Sequence, residues 1–186
     1  MRCLEPAPDA PPPTETAVIV AVPEAEPVVE QHRRMLDPAA GWGVPAHVTV
    51  LYPFVHPSAV NEDVIARLHA VIRSTSAFSC QFARTRWFGD EVLWLEPLPA
   101  DPFRTMTLAV WEAFPHYPPF GGAYDEVVPH LTVAQRSSSG KPPMQAAEGD
   151  VQSRLPVSAF IDRVLLVAGT QAADSWRTLS EIPLTS

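Results

Sequence analysis

Two short stretches of this chain repeat one pattern: His47-Val48-Thr49-Val50 and His130-Leu131-Thr132-Val133. Each is a histidine, an apolar residue, a threonine and another apolar residue. Pro45 precedes the first and Pro129 the second. β-Branched and apolar residues with a proline at the start predict short strands. Side chains alternate faces along a strand, so His47 and Thr49 share one side while Val48 and Val50 take the other. The same alternation separates His130 and Thr132 from Leu131 and Val133. One such strand is weak evidence, because chance gives roughly 0.3–0.4 His-x-Thr matches in a chain like this. Two in the same context predict two imidazoles and two hydroxyls brought to one cleft.

The chain has 186 residues, with 46% hydrophobic and 18% charged side chains. That is enough to bury one core, shared by two small lobes. No apolar run is long enough to span a bilayer. The N-terminus lacks a basic-then-apolar leader, so a cytoplasmic location is expected. Cys3 and Cys80 imply neither a disulfide framework nor a zinc cluster. A formal charge of −8 argues against wrapping long nucleic acid, though not against a pocket for one or two phosphates.

Residues 1–14 carry Pro11-Pro12-Pro13 and acidic residues, and predict a disordered tail; residues 15–186 would form a single bilobal domain. Ala17–Val22 reads as a buried strand. Glu24–Leu36 reads as a helix with Val28, Val29, His32 and Met35 on its stripe. Asp37–Ala46 is a loop holding Trp42 between Gly41 and Gly43, where the indole either caps the core or stacks on a ring. Ser58–Ser74 predicts a helix with Ser58 as N-cap. Phe78–Phe88 and Glu91–Leu98 predict a hairpin whose Arg84 and Arg86 form a solvated face or a cationic edge. A helix over Asp101–Phe114 follows, then a long loop to Pro129. After the second motif come a flexible turn at Arg136–Gly140, a third helix over Lys141–Leu155, and strands at Phe160–Ala168 and Ser175–Pro183. Each half thus has a helix, a loop, a His-x-Thr strand, a helix and a hairpin. The expected fold is α+β: two antiparallel sheets with flanking helices, related by a pseudo-twofold, with one motif strand per lobe facing a central cleft.

Histidine titrates near about pH 6.5, so of two facing imidazoles one can act as base and the other as acid. Threonine hydroxyls suit the nonbridging oxygens of a phosphate, and two opposed histidines suit in-line displacement at phosphorus. The alternative is a metal centre. Catalytic zinc usually needs three protein ligands, and no carboxylate lies within two residues of either motif histidine. The metal reading is therefore the lesser one. A Gly-x-Ser-x-Gly nucleophile motif is absent from the sequence.

The stretches HVTVLYPF and PHLTVAQ, in a chain of this length, resemble the two-histidine phosphoesterase superfamily, in particular its LigT-like 2′-5′ RNA ligase group. The resemblance spans about Ala17 to Leu184. It implies His47 and His130 as the acid–base pair, with Thr49 and Thr132 donating to phosphate oxygens. It implies hydrolysis of a cyclic phosphodiester, such as a 2′,3′-cyclic RNA end or small nucleotide, without metal or cofactor. In some members the reaction is reversed into 2′-5′ joining. Tyr52 matches an aromatic that follows the first motif, although strict alternation turns it away from the cleft. The family often has an arginine five residues after the second histidine; that position here is Gln135, followed by Arg136. Candidate substrate contacts are therefore Tyr52, Trp42 and Arg136. Expected partners are a small cyclic nucleotide or RNA end, with the chain monomeric. A non-catalytic module binding nucleotides or phosphorylated RNA ends is the alternative.

Overall fold

The protein was analysed as a computed structural model, which describes residues 12–124, 126–136 and 140–186. Most of the expected tail, and the serines of the expected turn after Arg136, lie outside the described residues.

Among the described residues, eight strands make one antiparallel sheet: β1 (Glu15–Ala21), β2 (His47–Leu51), β3 (Phe78–Phe88), β4 (Val92–Leu98), β5 (Leu131–Gln135), β6 (Val157–Ile161), β7 (Arg163–Gly169) and β8 (Arg177–Pro183). Their order across the sheet is β6-β3-β4-β5-β2-β1-β7-β8. The two motif strands are central neighbours. A single registered pair, Val48 with Leu131, joins them. Outward from that seam, β2-β1-β7-β8 mirrors β5-β4-β3-β6, which gives the two expected antiparallel halves and their pseudo-twofold.

The helices are α1 (Glu26–Leu36), the short α2 (Pro38–Gly41), α3 (Glu62–Ile72), α4 (Asp101–Ala113) and α5 (Pro142–Ser153). The elements cross between halves. Helix α1 packs on β5 and α4 on β2; α3 joins α4, and α5 joins α1. The hairpin after the first motif, β3-β4, extends the half that holds the second motif, and β7-β8 extends the other. The sequence repeat and the spatial lobes are therefore different divisions of the chain.

Val48, Val50, Leu131 and Val133 are buried under the helices with Val18, Leu93, Phe103 and Leu68. The apolar side of each motif strand thus anchors it, and its polar side is left on the opposite face.

Several local expectations change. Ser58 lies in a 3-10 turn at Pro57–Ala59; Asn61 caps α3 instead, its Oδ1 accepting from Val64 N at 2.9 Å. Asn61 is extended at φ −132°, the backbone an N-cap requires. Phe160–Ala168 is not one strand. The chain turns at Asp162, so β6 pairs with β3 at one end of the sheet while β7 pairs with β1. On α1, Met35 is 63% exposed, whereas Arg33 is 2% exposed and takes the inward position.

Candidate active site

In the antiparallel seam, the pair Val48–Leu131 fixes its neighbours: His47 lies beside Thr132, and Thr49 beside His130. All four side chains are half-buried and lie on the face away from the helices. The two histidines are held alike. The His47 ring pairs through Nδ1 with Pro45 O at 2.8 Å, and the His130 ring through Nδ1 with Val128 O at 2.7 Å. A carbonyl only accepts, so Nδ1 carries the proton in both rings. Each neutral ring therefore presents a free Nε2 lone pair.

Both imidazoles are pushed below their usual range. His47 is lowered to about 4, mainly by burial, then by the Arg33 guanidinium, with His130 adding a smaller effect. Burial also lowers His130, partly offset by its bond to Val128.

Matching β-bulges shape the two walls. On β2, Val18 pairs with Leu51 and Ile19 with Thr49, leaving Val50 as the extra residue. On β5, Leu93 pairs with Ala134 and Trp94 with Thr132, leaving Val133 extra. Each bulge falls three residues after its histidine. It resets alternation, so the residue five after each histidine returns to the site face. Those residues are Tyr52 and Gln135. Tyr52 packs over Ala17, Ile19 and Val167, and its carbonyl accepts from Phe120 N. Burial and Glu15 raise its hydroxyl pKa. Gln135 lines a cavity of about 490 Å³ with His130, Thr132, Phe88, Phe120 and Glu91.

Aromatic rings surround His130. Phe88 stands edge-on at 5.0 Å, Trp94 at 5.9 Å, and Phe120 lies nearly parallel at 6.2 Å between centroids. Phe120 adopts φ 52°, a left-handed conformation costly for a bulky side chain. The Trp94 Nε1 donor is buried without an acceptor among the described residues. Strand pairing continues from Thr132 to Trp94 to Arg86, so Arg86 shares this face, where it pairs with Glu96 at 3.4 Å. Arg136 is bound to Glu91 at 2.8 Å, and Trp42 lies by the β7–β8 connection, its carbonyl accepting from Trp176 N. Neither Arg136 nor Trp42 lines the His130 cavity.

Sequence reading missed Phe88, Trp94 and Phe120, which only the strand pairing and the long loop bring to His130. It also missed Arg33 and Asp37. A charged residue four after Val29, on an otherwise apolar face, was the available signal for Arg33. Among the described residues, no three His, Cys, Asp or Glu side chains gather in a way that could hold a metal ion, and no helix is long and apolar enough to cross a membrane.

A two-lobed α+β sheet with paired histidine–threonine strands at its seam defines the class. A family model for the 2′-5′ RNA ligase superfamily matches residues 21–172, and the chain belongs to that superfamily, a group of phosphoesterase- and ligase-type enzymes. Solved structures agree in fold. E. coli LigT, in a crystal structure with NADP+, matches at TM-score 0.56 and 15% identity, covering 95% of this chain and 100% of LigT. LigT with 3′-AMP matches at 0.57 and 14%, covering 94% and 100%. A Thermus thermophilus protein matches at 0.64 and 18%, covering 91% and 97%. No curated protein sequence matches the chain.

Proposed function

We propose that this protein hydrolyses a cyclic phosphodiester, the 2′,3′-cyclic phosphate of an RNA end or small nucleotide, without a metal ion. The observation that carries the reading is the matched tethering of His47 and His130 through Nδ1, on strands whose register sets each histidine across from the partner strand's threonine. His47 Nε2 takes a proton from water as the water oxygen bonds to phosphorus. One ring P–O bond breaks, and the departing oxygen takes the proton held on His130 Nε2. Thr49 and Thr132 donate to the nonbridging oxygens. His47 is the base because Arg33 and burial keep it neutral. His130 is the acid, and the bound phosphate anion favours its charged form. With an RNA 5′-hydroxyl in place of water, the same forward steps open the ring onto that hydroxyl, and when the 3′-oxygen is the one that departs they leave a 2′-5′ linkage.

The nucleotides and phosphate in the LigT crystal structures support a nucleotide-sized ligand. One observation favours the alternative of a non-catalytic nucleotide-binding module: both rings are depressed, so the free protein holds little imidazolium at neutral pH. Turnover separates the two. The pure chain should open a 2′,3′-cyclic mononucleotide to a single monophosphate, with the rate unchanged by EDTA. Loss of that rate with EDTA and its return with one added metal would replace the metal-free mechanism. Binding without turnover would establish the alternative.

A further inference from the structure

The two histidines sit on strands joined by one registered pair, so contacts beyond that seam bear on their separation. A polar network built on the buried Arg33–Asp37 pair spans the seam. Arg33, 2% exposed, pairs with Asp37, 3% exposed, through Nε at 3.1 Å and a terminal nitrogen at 3.0 Å. The other Asp37 oxygen accepts from the Gln135 side chain at 3.3 Å, at the end of β5. Arg33 also donates to Val44 O at 3.2 Å, in the segment leading into β2. Glu26, 4.0 Å from Arg33, accepts from Ala46 N, next to His47, at 2.6 Å. One guanidinium thus reaches β5 through Asp37 and Gln135, and the start of β2 directly and through Glu26.

We propose that Arg33 is a positioning residue, which sets the His47 strand against the His130 strand through Asp37 and Gln135. This rests on the reading of the two histidines as one acid–base pair. Its rigid planar fork spreads its donors over three nitrogens in fixed directions, whereas an ammonium gathers three rotatable donors on one atom. It is too buried to meet a substrate directly. The charged or titratable groups around His47 are Arg33 and Glu26 from α1, Asp37 after it, and His130 just before β5. Arg33 is the one that most lowers His47 by charge. The same residue therefore fixes both the place and the protonation of the base.

The test uses the full chain with Arg33→Lys, Gln135→Leu, their double variant and Arg33→Met. For each, thermal melting, kcat and KM on a 2′,3′-cyclic mononucleotide, and NMR titration of the histidine rings are measured. Arg33→Lys keeps the charge and loses the fork; kcat should fall about 10- to 100-fold with KM within about twofold, since small misplacements are costly. Gln135→Leu should lower kcat similarly without lowering the melting temperature. The double variant should lose little more than either single one, as parts of one chain do. In Arg33→Met the His47 ring should titrate at higher pH, a readout independent of activity. Should that variant not fold, the other three decide. Multiplicative losses, or lowered melting temperatures with wild-type kcat and ring titrations, would overturn the proposal. Turnover surviving in His47→Ala would instead overturn the acid–base reading, while the ring titrations would still report on Arg33.

Discussion

His47 and His130 are held by the same bond, from Nδ1 to a carbonyl two residues back, and both are depressed by burial. This has a kinetic consequence with a definite sign. The base must be unprotonated, so rate falls as pH drops through its pKa. The acid must be protonated, so rate falls as pH rises through its own. With both free-enzyme values below 6.5, the bell in kcat/KM should peak on the acidic side of pH 6.5. The limbs belong to the pair and not to either ring. The bell in kcat should lie higher, because the bound phosphate anion favours imidazolium. A kcat/KM profile peaking above pH 7 would contradict the buried-pair account. At this scale the motif residues were legible, since alternation alone places His47, Thr49, His130 and Thr132 on one face. Arg33 was not. Its neighbour Met35 fits an apolar stripe better, and the Asp37 carboxylate and Val44 carbonyl make it favourable to bury a guanidinium instead.

The strands and long helices follow from local pattern, and most were legible to within a few residues. Irregularities were not. The bulges at Val50 and Val133 are marked locally only by the adjacent apolar pairs Val50-Leu51 and Val133-Ala134, which equally fit a strand buried on both faces. That slip is why Tyr52 lies on the histidine face of the sheet although strict alternation turns it away, packed on Ala17, Ile19 and Val167 outside the His130 cavity. The break at Asp162 was likewise hidden: no Gly or Pro interrupts Phe160–Ala168, and the turn exists because β6 and β7 pair at opposite ends of the sheet. The start of α3 was misplaced because Ser58 and Asn61 are both good caps. Asn61→Ala should therefore cost about 1 kcal/mol in urea unfolding, while Ser58→Ala should be close to neutral. The reverse ranking would mean that the helix begins one turn earlier.

Across the whole molecule, the chain exchanges elements between its lobes. Helix α1 covers the β5 half, α4 covers the β2 half, and each motif is followed by a hairpin that extends the opposite half. The sequence repeat suggested two lobes and a central cleft; it could not show which elements cross, because pairing depends on contacts distant in sequence. A fragment of residues 12–99 should therefore stay unfolded by NMR dispersion, having lost β5 from β4, β7 from β1 and β6 from β3. A folded fragment would mean that the halves are independent. The exchange also makes the site a property of the whole chain, with one histidine from each half. The most direct measurement is turnover of a 2′,3′-cyclic nucleotide by His47→Ala, His130→Ala and the double variant, with circular dichroism as the folding control. Each single change should lower kcat by about 10²- to 10⁴-fold, and the double should lose far less than the product of the two, as for groups acting as one unit. A folded single variant with near wild-type turnover would contradict the account.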